Sequence, residues 1–193
     1  YDDNYFTRSG FNSNRNQDIN FYSSFLNQRS FYSGQLEGDH QLRIAKMKFR
    51  WSAGYSLVTR KQPDLRTQQY VKPSGSSIYE MDPDDTRRFW SDLQDHTVTA
   101  SAALTIPYNM FGEKQNFKVG GSTIVRFRDF KSRIFRYVET SQANFNSDLA
   151  ALPFDQIFHK ENISQSGFKV EDFTNNQDKY FGISAINSGF AMF

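Results

Sequence analysis

The 193-residue chain has no cysteine, which excludes a disulfide framework, a thiolate zinc site and a thiol nucleophile. It also has no run of about 18 consecutive apolar residues, which excludes a membrane-spanning helix. The chain has little excess of charge of either sign, because 23 Lys and Arg nearly cancel 21 Asp and Glu and leave a net charge of +2. Such a balance selects no partner, neither nucleic acid nor an acidic surface.

Aromatic side chains are what the sequence has in abundance. They make up 17% of the residues, with 20 Phe, although the mean hydropathy is only -0.70. Many of them stand in alternating runs, of which residues 46–59 are the clearest. There Phe49, Trp51 and Tyr55 occupy one set of alternate positions, and Lys48 and Arg50 occupy the other. Strict alternation predicts a β-strand with one apolar and one polar face.

Five such runs predict five strands, at residues 20–42, 46–60, 97–106, 117–128 and 180–193. Short connections separate the first from the second and the third from the fourth. Residues 61–96 and 129–178 form long polar connections, and residues 1–17 are also predicted to be a loop. Within the second long connection, a short helix is predicted that is capped by Ser147 and stopped by Pro153.

Alternating runs of ten or more residues are typical of tilted strands that cross a bilayer, which need about 9 to 11 residues. The succession of short and long connections is that of a transmembrane barrel with periplasmic turns and extracellular loops. We therefore expect an all-β fold, a transmembrane antiparallel β-barrel, with turns near Ile44 and Asn109 in the periplasm. A soluble sandwich shows the same alternation and stays open as the alternative.

The barrel interpretation assigns an environment to each set of alternate positions. The predicted lipid-facing residues are Phe49, Trp51, Tyr55, Leu57, Val98, Leu104, Phe117, Val119, Val125 and Phe127. The predicted lumen-facing residues are Lys48, Arg50, Lys118, Arg126 and Arg128.

Binding chemistry is concentrated in the first long connection. Arg66, Tyr70, Arg87, Arg88 and Trp90 combine guanidinium groups with aromatic rings, which suit anionic chelates, sugars or peptides. We take these five as candidate ligand-binding residues of the loops. The other interpretation is that they pack between loops and form salt bridges with the nearby acidic cluster, which comprises Glu80, Asp82, Asp84 and Asp85.

No motif of an enzyme or of a cofactor site is present in the sequence. The three histidines are His40, His96 and His159, and they are far apart. The acidic cluster lacks the Gly and the distal Glu of an EF-hand loop. There is no GxSxG motif and no phosphate-binding Gly-rich loop. We therefore expect a protein that is not an enzyme and that has no metal or cofactor.

Several loop and strand sequences carry a family resemblance: YSGQLEGDHQL (32–42), QPDLR (62–66), RRFWSDL (87–93), LPFDQIF (152–158), ENI (161–163) and GF (167–168). In these segments the chain resembles the TonB-dependent outer-membrane receptors of gram-negative bacteria, in particular those with an N-terminal carboxypeptidase-regulatory-like domain. The resemblance implies a 22-stranded barrel with a plugged lumen, of which this chain would supply about five strands. Five strands with two open edges cannot close a barrel. Either the remaining strands belong to a longer protein, of which this chain, opening on Tyr1 without a leader pattern, is a part, or the chain completes its sheet in another way.

A receptor of this kind takes up a nutrient across the bacterial outer membrane. The implied partners are outer-membrane lipid, the rest of the barrel and its plug, and an inner-membrane energy-coupling protein that acts through the plug. A surface lipoprotein is a further partner in some such receptors. The resemblance does not identify the cargo.

Two soluble binding modules are the competing functions. Basic and aromatic residues interleave in KMKFRW and IVRFRDFKSRIFRY, as they do in single-stranded nucleic-acid binders. The period of two separates them onto opposite faces, however, and no RNP1 pattern is present, so we expect no nucleic-acid partner. A carbohydrate-binding or adhesin sandwich is the second alternative.

Overall fold

The computed structural model describes residues 1–72, 75–140, 143–153 and 155–193. The protein is all-β, with 71% of its residues in strands and no α-helix in the described ranges. Its strands are β1 (Asp2–Asn12), β2 (Gln17–Gln41), β3 (Lys48–Lys72), β4 (Glu80–Met81), β5 (Arg87–Met110), β6 (Glu113–Glu139), β7 (Phe168–Asp172) and β8 (Tyr180–Met192). The all-β prediction is thus confirmed.

The strands form one antiparallel sheet that is not closed. Its order is β1-β2-β3-β5-β6-β7, with β4 paired to β3 and β8 paired to β6. Strands β2, β3, β5 and β6 are 24 to 27 residues long, whereas strands of soluble proteins average about 5 to 6. Whether the sheet belongs to a barrel stays a prediction.

The two short connections occur where the alternation predicts them. A single 3-10 turn, Ile44–Lys46, joins β2 to β3. Phe111 and Gly112 alone join β5 to β6, with φ angles of 52° and 82°. Two successive residues with positive φ are typical of the tight hairpin turn that matches the twist of its strands.

The predicted loop at residues 1–17 was wrong, because this segment is mostly strand. β1 pairs with β2 from Asp2↔Asn27 to Asn12↔Gln17. The side-chain oxygen of Asn12 accepts hydrogen bonds from the backbone N–H groups of Asn14 and Arg15, which stabilises the turn. Backbone hydrogen bonds hold the hairpin together, so it needs no alternating side-chain pattern.

The predicted loops at residues 61–96 and 129–178 were also too long. β3 continues to Lys72 and β5 already begins at Arg87, while β6 continues to Glu139 and β7 pairs with its end. These strand ends carry polar side chains on both faces, so the sequence there shows no period of two. The predicted short helix is a 3-10 helix, Ser147–Ala151, and the side chain that caps it belongs to Asn146 rather than Ser147.

The chain divides into two compact units, which are described separately. The first, here called the core unit, comprises residues 1–28, 60–92 and 131–179. Four buried side chains form its hydrophobic cluster: Tyr70, Met81, Ile157 and Phe168. Six partly buried side chains pack around them: Tyr22, Tyr79, Phe145, Leu149, Leu152 and Phe158.

The second unit, here called the sheet unit, comprises residues 29–59, 93–130 and 180–193, all of which the structure describes. Within these ranges Asp95 is the only buried residue, so the unit has no buried hydrophobic side chain. Several of its large apolar side chains are exposed, among them Leu36 (69%), Phe181 (63%) and Ile183 (63%). The sheet unit therefore has no hydrophobic core of its own.

Contacts between strands define two faces of the sheet unit. On the first, here called the apolar face, the indole N–H of Trp51 donates to His40, and Tyr55 hydrogen bonds His96 at 2.7 Å. Phe117 packs on Phe193 on the same face.

The opposite, polar face carries hydroxyl pairs and ion pairs. Ser52 hydrogen bonds Ser101 at 2.8 Å, and Arg50 and Arg128 donate to aspartates on neighbouring strands. All ten predicted lipid-facing residues lie on the apolar face, and all five predicted lumen-facing residues lie on the polar face. What each face contacts stays a prediction.

Helices in the described part of the chain are too short and too polar to cross a membrane.

Candidate binding pocket

A pocket of about 280 Å³ lies within the core unit. The end of β3, the start of β5, the end of β6 and the segment after Pro153 contribute its walls. Its lining residues are Arg66, Thr67, Gln68, Arg87, Arg88, Tyr137, Asp155, Phe158 and His159. The pocket thus combines three guanidinium groups, two aromatic rings and a single carboxylate.

Asp64 holds two of the guanidinium groups in place. Its carboxylate accepts from Nε of Arg88 at 2.6 Å and from Nε of Arg66 at 2.7 Å. Burial alone would raise the pKa of Asp64, but the hydrogen bonds from Arg88 and Arg66 outweigh burial and lower that pKa below its usual value. The hydrogen bond that Arg88 donates to Asp64 raises the pKa of Arg88. This carboxylate is therefore ionised at neutral pH, and it fixes two cations at the pocket wall.

Arg87 is held less tightly than its two neighbours. Its Nη2 donates to the backbone carbonyl of Asp84 at 2.9 Å and lies 3.5 Å from a carboxylate oxygen of Asp85. The Arg87 side chain is 47% exposed. A guanidinium has five N–H donors, so Arg87 can offer further hydrogen bonds to a ligand.

The acidic cluster beside Arg87 is occupied by protein donors. Arg15 forms an ion pair with Asp82 at 2.9 Å, and the side-chain amide of Gln69 donates to both Asp82 and Asp85. In the described ranges, no group of three or more His, Cys, Asp or Glu is arranged to hold a metal ion. These carboxylates instead anchor the segment around β4.

Gln68 stands out among the polar lining residues because it is buried without a partner. It is 6% exposed, and within the described ranges its amide nitrogen Nε2 has no hydrogen-bond partner. Burying such a donor unsatisfied costs about 1 to 3 kcal/mol. Buried donors in proteins nearly always have an acceptor, and a ligand in the pocket would supply an acceptor for Gln68.

Two aromatic rings, an imidazole and one carboxylate form the remaining wall of the pocket. The rings of Tyr137 and Phe158 stack with their centroids 3.5 Å apart. Nδ1 of His159 lies 3.2 Å from a carboxylate oxygen of Glu161. Asp155 is the only acidic side chain in the lining, so one part of the pocket accepts hydrogen bonds while the rest donates them.

The structure brings together three of the five predicted ligand-binding residues, namely Arg66, Arg87 and Arg88. Tyr70 lies elsewhere, in the core, where its hydroxyl donates to the carbonyl of Leu152 at 2.9 Å. Burial raises the pKa of Tyr70 above its usual range. A side chain so placed is structural.

Trp90 also lies outside the pocket. Its ring packs edge-on against Phe135, with centroids 5.2 Å apart, and the guanidinium of Arg88 lies 4.9 Å from the ring centre. Trp90 lines a separate cavity of about 500 Å³ in the core unit. The alternative of salt bridging is realised in part, since Arg87 faces the acidic cluster while Arg66 and Arg88 pair with Asp64.

Sequence reasoning missed six of the pocket residues, namely Thr67, Gln68, Tyr137, Asp155, Phe158 and His159. Gln68 occurs in the polar run TQQY, where nothing distinguishes a buried amide from an exposed one. Tyr137 was assigned to a loop, so the direction of its side chain could not be derived. Phe154, which belongs to the resembling segment LPFDQIF, lies outside the described residues.

Comparison of the chain with protein-family models, with curated proteins and with solved structures gave no match in any of the three. The pocket and the apolar face are therefore interpreted from their own chemistry.

Proposed function

We propose that the chain forms part of the wall and of the extracellular loops of a transmembrane antiparallel β-barrel in the bacterial outer membrane. Its function there is that of an energy-coupled receptor that takes up a nutrient. The observation that carries this proposal is the apolar face of the sheet unit, which is exposed and continuous over five strands and carries no charge between its aromatic ends.

The composition of the apolar face supports contact with lipid. Its band consists of the alternate positions of five described segments: 32–42, 49–57, 96–108, 117–127 and 181–193. At these positions there is no Asp, Glu, Lys or Arg. Aromatic residues stand at several ends of this band, as at Phe49, Phe117, Phe127 and Phe181, where rings suit the lipid interface. Apolar surface in water costs about 25 cal/mol per Å², so the face requires an apolar surrounding.

The polar face supports a water-filled or protein-filled interior. It carries the Arg50–Asp39 pair and the contacts of Arg126 and Arg128 with Asp95. Ser52, Ser101, Ser122 and Ser188 line it further. Charges of both signs on one face and none on the other are the pattern of a barrel strand with a wet lumen.

The open sheet leaves two edges for the rest of the wall, one at β1 and one at β7 and β8. Unpaired strand edges join readily to further strands. The receptor assignment itself is supported by the loop sequences that resemble TonB-dependent receptors. In that role the partners are outer-membrane lipid, a plug and an inner-membrane energy-coupling protein.

Fluorescence quenching by brominated lipid tests the proposal, because the two tryptophans lie in different units. The protein is purified from the outer membrane of its native host and reconstituted in vesicles whose acyl chains carry bromine at mid-depth. Trp51, on the apolar face, should be quenched strongly, so Trp51→Phe should remove most of the lipid-dependent quenching. Trp90→Phe is the matched control and should leave it unchanged.

Two outcomes would overturn the barrel. One is equal quenching in the wild-type protein and in Trp51→Phe. The other is a protein that stays soluble and monomeric without detergent, which would make the apolar face the interior of a sandwich.

A further inference from the structure

We propose that the pocket of the core unit binds a small organic molecule through a single carboxylate, while a donor group at the other end of the ligand reaches Asp155. That this pocket captures the imported nutrient rests on the proposed function. The binding itself rests on the pocket alone.

Gln68 provides the first argument. Gln68 is more than nine-tenths buried and lines the pocket, and its Nε2 has no partner in the described ranges. Backbone and side-chain donors so placed in proteins nearly always have an acceptor. An oxygen of a bound carboxylate would be that acceptor.

Arg87 provides the second argument. Asp64 engages both Arg66 and Arg88, whereas the described partners of Arg87 are reached from Nη2 only. The planar fork of a guanidinium matches the two oxygens of a carboxylate. Arg87 therefore keeps N–H donors for a ligand although its Nη2 is directed to the acidic cluster, while Arg66 and Arg88 contribute charge at fixed positions.

The local charge limits the ligand to one negative charge. Three arginines line the pocket, and Asp64 is shared by two of them. Asp155 lies in the lining and Asp85 lies 3.5 Å from Arg87. These three carboxylates balance the three guanidinium groups, so the pocket has no excess of positive charge that would hold a phosphate dianion.

The volume of the pocket and the polarity of its lining restrict the ligand further. A volume of about 280 Å³ lies at the lower end of the range of small-molecule sites. It admits one sugar ring or a dipeptide. Asp155 requires a donor on the ligand, which a hydroxyl of a uronic acid or the ammonium of a peptide would supply. The shared chemistry is a carboxylate with a hydrogen-bond donor a few bonds away.

Titration calorimetry on the detergent-solubilised protein separates the two sources of that chemistry. The probes are D-glucuronate and alanylalanine, each compared with a partner in which an uncharged amide replaces the carboxylate. We expect one of the two acids to bind at least about tenfold tighter than its amide, as charge-assisted hydrogen bonds require. The acid that does so identifies the ligand as an acidic sugar or a peptide.

Substitutions of two lining residues test whether the acid binds in this pocket. Arg87→Gln and Gln68→Met should each weaken the preferred acid at least about tenfold and leave its amide nearly unaffected. Arg50→Gln is the matched control, because Arg50 has a similar exposed ion pair but lies in the sheet unit. Equal affinity of acid and amide for both pairs, or full affinity in Arg87→Gln, would overturn the proposal.

The failure of this proposal is distinguishable from the failure of the barrel. A protein whose Trp51 is quenched by brominated lipid, but which shows no preference for either acid, refutes the pocket alone. A protein that prefers one acid, but whose Trp51 is not quenched, refutes the barrel alone.

Discussion

Substituting Phe168 by Ala should destabilise the core unit far more than the same change at Phe181. Phe168 is 1% exposed, and its ring packs against Phe145 and Phe158 at centroid distances of 5.2 and 5.6 Å. Truncating a buried Phe to Ala costs about 3 to 5 kcal/mol, since transfer energy is lost and a cavity remains. Phe181 is 63% exposed. Phe181 lies in the other unit, and its contacts with protein account for only about a third of a full burial energy of 1.5 to 3 kcal/mol, which is less than about 1 kcal/mol.

The free energy of unfolding of both variants is measured by guanidinium titration in detergent, followed by the fluorescence of Trp90 in a Trp51→Phe background. Trp90 packs on Phe135 within the core unit, so its emission reports the unfolding of that unit. A Phe168→Ala variant within 1 kcal/mol of its parent would refute the reasoning, because the cluster around Ile157 would then not stabilise the unit.

Three further predictions concern the core unit. Tyr70→Phe removes the hydrogen bond to the Leu152 carbonyl and should lower the free energy of unfolding by about 1 to 2 kcal/mol, which the same guanidinium titration measures; an unchanged midpoint would contradict it. Gln68→Met removes an unsatisfied buried amide and should raise the free energy of unfolding by about 1 to 3 kcal/mol in the absence of ligand, whereas a loss of stability would show that the amide has a partner. The pKa of Asp64 is lowered in the folded protein, so its carboxylate stabilises the fold above the unfolded pKa of about 4 and this stabilisation is lost as the pH falls through the folded pKa. Asp64→Asn should therefore lower the urea midpoint most at pH 7 and progressively less below about pH 4, and a difference that does not change with pH would contradict this.

The strands of the sheet unit could be predicted from the sequence because their two faces carry different kinds of side chain. The run from Phe49 to Leu57 alternates strictly, and so does the run from Phe117 to Phe127. Their apolar and polar positions fall on opposite faces of β3 and β6. Where both faces of a strand are polar, as along β1, the chain pairs through its backbone alone, and the side chains leave no period to detect.

The candidate site was predictable only in part. Clustered arginines point to anion chemistry in any fold, which is why Arg66, Arg87 and Arg88 were found. Tyr70 was also a candidate, but a tyrosine ring with a single hydroxyl packs in a hydrophobic core as readily as in a binding site. Gln68 could not be found, since its significance depends on burial against β5 and β6 partners that are distant in sequence.

The two units use apolar residues in opposite ways, and this contrast bears on the surroundings of the protein. Ile157 and Phe168 are buried together, so the core unit removes its large side chains from water within its own packing. A single sheet has no second layer with which to cover a face, and in the sheet unit Leu36, Ile183 and Phe181 remain exposed. Exposed apolar patches of this extent mark a surface that is made for contact. That surface carries no charge between its aromatic ends, while the opposite face carries ion pairs. This asymmetry is the physical basis of our proposal that lipid lies on one side of the sheet and water or a plug on the other.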